Sequence, residues 1–176
     1  MNLVLIGYRG TGKSAVAERL AARLGYAAVA LDAEIVRRAG LSIPEIVARH
    51  GWPHFRDLES AVVRDYAGRD NLVLDCGGGV VERPENIAAL RRNGRVFWLT
   101  APVAIIVARI QSDTQRPALT AGKTFIQEVT EVLARRAPLY AAAHHHAIET
   151  SDKTPGQVAG AIMALWLNRS PQCSKA

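Results

Sequence analysis

Residues 7–14 read Gly7-Tyr8-Arg9-Gly10-Thr11-Gly12-Lys13-Ser14, and they follow directly on the unbroken apolar run Leu3–Ile6. Gly7, four intervening residues and then Gly12-Lys13-Ser14 is the P-loop spacing, in which each position has a physical task at a triphosphate. Glycines let the backbone turn with its N–H groups inward, forming a nest for phosphate oxygens. Gly10, Thr11, Gly12, Lys13, Ser14 and Ala15 are the binding residues on this reading. Lys13 reaches the β- and γ-phosphates as a point charge, and the Ser14 hydroxyl is placed to ligate Mg²⁺ at the start of the next helix, whose positive dipole end also favours an anion. The loop is expected to hold Mg·ATP or Mg·GTP. Its context agrees: a strand-like run precedes it, and Val16, Leu20 and Leu24 follow at helical spacing, with Gly25 as the stop.

Outward from the loop, short apolar runs alternate with longer amphipathic ones. Strands are predicted at Leu3–Ile6, Ala28–Leu31, Leu72–Leu74, Val96–Leu99 and His146–Ile148, with helical segments between them. That alternation predicts an α/β fold, a parallel sheet covered by helices on both faces. A chain of 176 residues with 49% apolar types fits one domain, taken as 1–167, with a flexible tail at 168–176. The polar stretch Ser112–Lys123, punctuated by Pro117 and Gly122, reads as a mobile lid over about 112–124.

The net charge of +6 raises the question of nucleic acid. Its arginines are spread along the chain, and aromatic residues, 6% of the total, are not interleaved with basic ones as a stacking surface requires. Small polyanions such as ATP and an acidic metabolite account for the charge equally well. No basic leader precedes the first strand and no apolar stretch approaches 18 residues, so neither export nor membrane insertion is expected. Two distant cysteines, Cys76 and Cys173, predict no disulfide framework and a cytoplasmic protein. A monomer is expected, because no heptad pattern or interface stripe is visible.

Further groups gather around the loop in sequence order. Asp32 lies just past the second predicted strand, at the carboxyl edge where open sheets bind ligands. Phe55-Arg56-Asp57-Leu58-Glu59 offers an arginine with a carboxylate one helical step away. Leu74-Asp75-Cys76-Gly77-Gly78-Gly79 ends the third strand in a second glycine turn, Arg116-Pro117 sits in the lid, and Arg135–Tyr140 (RRAPLY) closes a helical run.

This ordered set resembles the shikimate kinase family from about Leu3 to Trp166. The resemblance implies a P-loop NTPase fold of three α/β/α layers on a five-stranded parallel sheet of order 2-3-1-4-5, and ATP-dependent phosphorylation of the 3-hydroxyl of shikimate on the route to chorismate and aromatic amino acids. It further implies that Arg56 and Arg136 clamp the shikimate carboxylate, with Gly77, Gly78 and Gly79 presenting backbone to the ring substituents. Asp32 would orient the reacting hydroxyl and accept its proton. Arg116 would close with the lid and act with Lys13 on the phosphoryl charge. Arg109 would stack on adenine, with Ser151–Pro155 on its other side, and Glu59 would orient Arg56.

One departure from the family pattern stands out. Shikimate kinases carry Asp-x-Asp after the second strand, the first residue serving the magnesium site and the second the substrate; here the positions are Ala30 and Asp32. A register pairing Asp32 with Glu34 would break the match at Ile35 and Arg38-Ala39-Gly40. Leu72-Val73-Leu74-Asp75 has the form of an apolar strand ending in aspartate, so Asp75 is expected to join Ser14 at the metal in place of the missing acid.

His144, His145 and His146 alternate faces on entering a strand, which argues against one shared metal. Cys76 reads as a small buried hydrophobe, and Trp52, Trp98 and Trp166 as packing or surface residues. Two alternatives stay open beside the kinase: a related binding or regulatory module without turnover, and a kinase of another small hydroxy acid such as gluconate.

Overall fold

The computed structural model describes residues 1–110 and 124–168. Five strands, β1 (Asn2–Ile6), β2 (Ala27–Ala30), β3 (Leu72–Asp75), β4 (Gly94–Thr100) and β5 (His146–Glu149), form one sheet of order β2-β3-β1-β4-β5. Every neighbouring pair is parallel, with Leu3 beside Val73 and Arg95, Ala30 beside Asp75, and Trp98 beside Ala147. Parallel pairing requires crossovers, supplied by α1 (Lys13–Leu24), α2 (Leu31–Ala39), α3 (Ile43–Ala67), α4 (Pro84–Arg92), α5 (Val103–Ile110) and α6 (Phe125–Ala143), while α7 (Pro155–Leu167) follows β5. This is the parallel sheet with helices on both faces that the sequence pattern predicts, in the strand order that the family resemblance implies.

Period-two alternation sorts the central strands between two cores. Leu3, Leu5, Val73, Phe97 and Leu99 pack with Val16 and Leu20 of α1 and Ile162 and Trp166 of α7. Val4, Ile6, Leu74 and Val96 face the other way, onto Ile35 of α2, Phe55 and Val62 of α3, Leu90 of α4 and Tyr140 of α6. Burying each such side chain contributes about 1.5–3 kcal/mol, so β1, buried at all five positions, is the spine of the domain. A one-residue slip in β1 would exchange its faces and ruin both cores.

Predicted strand limits differ from the observed ones by one or two residues, except at β2, where a residue changes element. Leu31 opens α2 with no intervening loop, because its side chain is buried in the core beneath the helix and the acidic Asp32 and Glu34 suit a first helical turn. The helical run holding Arg135–Tyr140 does not stop there. It continues to Ala143 through Pro138, since burial of Tyr140 and Ala143 outweighs the roughly 3 kcal/mol that a helical proline costs. Gly51, at φ 79° and ψ 169°, breaks α3 into two segments and turns the second, carrying Phe55, Arg56 and Glu59, toward the sheet edge. Nearly all of the expected lid, Arg116 with it, and residues 169–176 of the expected tail lie outside the described residues. Among the described residues no helix is long and apolar enough to cross a membrane.

Candidate active site

The loop between β1 and α1 wraps the helix terminus at the carboxyl edge of the sheet. Gly12 caps α1 at φ 86° without a side-chain hydrogen bond, whereas α3, α6 and α7 each begin with a complete capping box, from Ser42, Thr124 and Thr154. The first N–H groups of α1 are therefore not claimed by a capping side chain, the condition for anion binding at a helix start. Lys13 is buried and folds over the loop, donating to the carbonyls of Gly7 at 2.9 Å and Tyr8 at 3.0 Å. Thr11 ties the loop internally through its hydroxyl to the Tyr8 carbonyl at 2.8 Å.

A cleft of about 440 Å³ opens over this loop, lined by Gly10, Gly12, Lys13, Ser14 and Ala15 and, across from them, by Ala30, Asp32 and Asp75. Ser14 donates its hydroxyl to Asp75 Oδ2 at 2.6 Å. Asp75 ends β3 directly beside Ala30, which ends β2. Glu34 is elsewhere: Arg37 and Arg38 donate to it at 2.7–2.8 Å, their hydrogen bonds holding its carboxyl down at about 2. Ala30 and Asp32 line the cleft, and Glu34 lines neither cavity.

A second, narrower pocket meets the first. Its lining includes Asp32, Trp52, Phe55, Arg56, Glu59, Gly77, Gly78, Gly79 and Arg136. Arg9, Asp32, Gly77 and Gly78 line both cavities. Asp32 thus stands on the wall where a phosphate-binding cleft joins a cation-lined pocket.

The cationic side is built from two arginines and two carboxylates. Arg56 donates Nη1 to Glu59 Oε2 at 2.7 Å and pairs through Nε with Glu82 Oε2 at 3.2 Å. Arg136, 4% exposed, directs Nε and Nη2 to Glu82 Oε1, each at 2.9 Å. A buried guanidinium needs such a partner to offset its lost hydration. Burial pushes the Glu59 carboxyl up to about 7, against the opposing pull of Arg56, with the neighbouring Asp32 charge adding to the rise. Glu82 is also raised by burial, but Arg136 and Arg56 outweigh this and hold it below the ordinary carboxylate range.

In the turn after β3 the site's side chains crowd the space that a Cβ would take, which glycine leaves free. A Cβ on Gly77 would lie 2.5 Å from Asp32 Oδ1 and 3.0 Å from Glu59 Oε1, and one on Gly79 would collide with the Arg56 guanidinium. Tyr140 donates its hydroxyl to the Gly78 carbonyl at 2.5 Å, fixing the turn to α6. Burial raises the Cys76 thiol well above its ordinary value, so it is an inert neighbour.

Arg109 is exposed, yet its guanidinium is tied back onto the protein. It donates to the carbonyls of Gly10 at 3.2 Å, Thr150 at 2.9 Å and Ser151 at 3.3 Å, joining the P-loop to the turn after β5. It lines a third cavity with Thr11, Gly12, Val16, Lys153 and Pro155, on the far side of the loop from Asp32. Arg116 cannot be placed, since it lies outside the described residues.

Several lining residues escape the sequence reading. Arg9 lies inside the quoted loop and lines both cavities. Trp52 is more than a packing residue, because it borders the cation-lined pocket with Arg56 stacked 5.5 Å from its ring. Trp98 stacks on Tyr140 at 5.6 Å and Trp166 is buried. Glu82, which lines neither cavity but pairs with both pocket arginines, carries no motif at all. The three histidines go to separate tasks: the His144 ring lies 3.0 Å from the Tyr140 carbonyl, His145 accepts from the Val96 N–H and His146 accepts from Arg95.

Comparison with known proteins agrees with this geometry. A sequence model of the shikimate kinase family matches residues 9–166. The shikimate kinase of Nitratidesulfovibrio vulgaris is 47% identical over 147 residues, 82% of this chain and 83% of that protein. That of Geobacter metallireducens is 42% identical over 161 residues, 92% of this chain and 89% of its own. Among solved structures, the shikimate kinase from Acinetobacter baumannii in complex with shikimate superposes with a TM-score of 0.91 at 33% identity, covering 97% of this chain and 95% of that one. With a phosphate loop and an acid-and-arginine pocket meeting at one edge of a 2-3-1-4-5 sheet, and with this kinship over nearly its whole length, the chain belongs to the shikimate kinase family.

Proposed function

We propose that the chain is an active shikimate kinase, transferring the γ-phosphoryl group of Mg·ATP to the 3-hydroxyl of shikimate, with the site residues dividing the work as follows. Shikimate enters the narrower pocket carboxylate first, toward Arg56 and Arg136, whose planar forks suit a carboxylate. The turn Gly77, Gly78, Gly79 lies along the ring. Asp32 orients the 3-hydroxyl toward the cleft and takes its proton as the oxygen attacks phosphorus. Gly10, Thr11, Gly12, Lys13, Ser14 and Ala15 hold the phosphates. Lys13, released from the Gly7 and Tyr8 carbonyls, moves its charge onto the transferring group. Arg109 carries the nucleobase side, its plane fixed by the Gly10, Thr150 and Ser151 carbonyls, and Arg116 is the proposed lid arginine.

The metal site is part of the proposal. A hydroxyl and a carboxylate 2.6 Å apart, Ser14 and Asp75, are hard oxygen donors of the kind Mg²⁺ accepts, and Mg²⁺ needs only one or two carboxylates beside phosphates and water. Asp75 is the register neighbour of Ala30, so it brings an acid to the place where the family's first aspartate would stand. Held by Ser14 and Asp75, Mg²⁺ would neutralise charge on the phosphates. A monomer as the working species and a cytoplasmic location, where ATP is supplied, complete the proposal.

The position of Asp32 on the wall common to both cavities carries the reading. A binding module needs no carboxylate at the junction. Release of ADP assayed with shikimate, quinate, gluconate or no acceptor tests it. Strictly shikimate-dependent release is expected; release with gluconate alone would transfer the assignment to another hydroxy acid, and none with any acceptor would favour the regulatory module.

A further inference from the structure

We infer that Glu82, which no motif marks, is the positioning residue that makes Arg56 and Arg136 a single carboxylate receptor; this rests on the clamp reading above. Its two oxygens are divided between the arginines: Oε2 pairs with Arg56 Nε at 3.2 Å and Oε1 with Arg136 Nε and Nη2, both at 2.9 Å. The arginines come from α3 and α6, elements far apart in the chain, and two guanidiniums converging on one pocket repel each other. One carboxylate between them removes that repulsion and sets their separation.

Each guanidinium keeps one nitrogen that neither Glu82 nor Glu59 engages, and in each case it faces the glycine turn. Arg56 uses Nε for Glu82 and Nη1 for Glu59; Nη2 is engaged by neither, and both Nη nitrogens lie against Gly79. Arg136 uses Nε and Nη2 for Glu82, and its Nη1 is the nitrogen nearest Gly78. Glu82 therefore holds the rear of each fork and presents the front. It does not line the pocket itself, so it is not a stand-in for the ligand.

Glu82 is also rigidly joined to the turn it serves. Residues Val80–Glu82 form a 3₁₀ turn in which the Glu82 N–H donates to the Gly79 carbonyl at 2.9 Å and the Val80 N–H to the Gly77 carbonyl at 3.1 Å. Asn86 braces it by donating to the Val80 carbonyl at 3.3 Å. Backbone donors and both guanidiniums thus share one frame. Arg135 makes a third contact to Glu82 at 3.0 Å but is 65% exposed, where such a pair is weak.

The test is a cycle between residue 82 and the ligand carboxylate. Wild type and Glu82→Gln are titrated with shikimate and with its methyl ester, which keeps the ring and hydroxyls but has no negative charge. Glutamine keeps the shape and cannot accept from both arginines. The expected result is about a tenfold loss of shikimate affinity, with ester affinity and kcat within about twofold of wild type; Glu82→Asp, which keeps the charge, should recover part of the loss. Arg135→Gln should bind both ligands as wild type does. Equal loss for shikimate and ester would make Glu82 merely structural, and unchanged or tighter shikimate binding would make it idle or competitive; each overturns the inference. Failure of wild type to prefer shikimate over the ester would instead overturn the clamp on which the inference rests. Should Glu82→Gln not fold, the same cycle run with Glu82→Asp decides, with a loss confined to shikimate expected.

Discussion

The phosphate cleft takes Arg9, Gly10, Gly12, Lys13, Ser14 and Ala15 from one contiguous stretch, the loop and the first turn of α1, whereas the pocket proposed for the acceptor collects Asp32 from α2, Arg56 and Glu59 from α3, Gly77–Gly79 from the turn after β3 and Arg136 from α6. Backbone does the work in the first, and its groups are positioned by local turn geometry. In the second, charged side chains from distant elements must be brought together, and burial of ions has to be offset by partners such as Glu59 and Glu82. A change in the loop should therefore act on nucleotide and metal, and a change in the pocket on acceptor alone. Asp32, belonging to both, should act on transfer.

The largest expected effect breaks the junction. Asp32→Asn retains a hydrogen-bonding side chain that cannot take a proton, so kcat should fall by about 10²–10⁴-fold while ATP affinity, measured by titration, stays within about twofold. Turnover near wild type would remove Asp32 from the proton path. Glu34 would not replace it, being held by Arg37 and Arg38.

Next comes the pocket by itself. Arg136→Lys keeps the charge and loses the fork, and calorimetry should show shikimate binding weakened by about 1.5–3 kcal/mol with ATP binding unchanged. Equal weakening of both ligands would mean that Arg136 supports the fold and not the acceptor.

The loop side is sharpened by Asp75→Asn. Binding of Mn²⁺ in the presence of ADP, followed by paramagnetic resonance, should weaken about tenfold, and the Mg²⁺ concentration giving half-maximal activity should rise in parallel. Ala30→Asp added to Asp75→Asn should restore much of both, because residues 30 and 75 are neighbours across β2 and β3. Unchanged metal affinity in Asp75→Asn would leave Ser14, the phosphates and water as the whole site.

The smallest effect reads the burial of the pocket. Glu59, pushed up to about 7 from an ordinary 4.5, holds its proton more tightly in the folded protein than in the unfolded chain. Folding takes up a proton between those values, so Glu59 lowers stability as pH rises from about 4.5 through about 7, with no further change above. Glutamine mimics the protonated form. The melting temperature of Glu59→Gln minus that of wild type should be higher at pH 8 than at pH 5.5 by roughly 4–8 °C, corresponding to about 2 kcal/mol. A difference independent of pH would show that Glu59 is ionised throughout.

The same contrast governs what could be read before folding. Alternating apolar runs and the loop spacing were enough to place five parallel strands and the start of α1, because period-two patterning and glycine geometry are local properties. Leu31 reads as strand because an apolar residue after Ala28-Val29-Ala30 satisfies either element, and only packing beneath α2 decides. Arg56 and Arg136 were found through motifs carried by resemblance, because a lone arginine has no local signature. Trp52 becomes a wall of the acceptor pocket through the break at Gly51, and Glu82 gains its place by meeting α3 and α6 in space. Nothing in their neighbours along the chain announces either.

Transfer across the Asp32 junction is tested most directly by following ³¹P and ¹H spectra of a reaction containing the protein, Mg·ATP and shikimate. One phosphate ester on the 3-hydroxyl of shikimate for each ADP formed is the expected result. Formation of ADP with free phosphate and unmodified shikimate, or an ester on another hydroxyl, would contradict the arrangement in which Asp32 presents the 3-hydroxyl to the phosphate cleft.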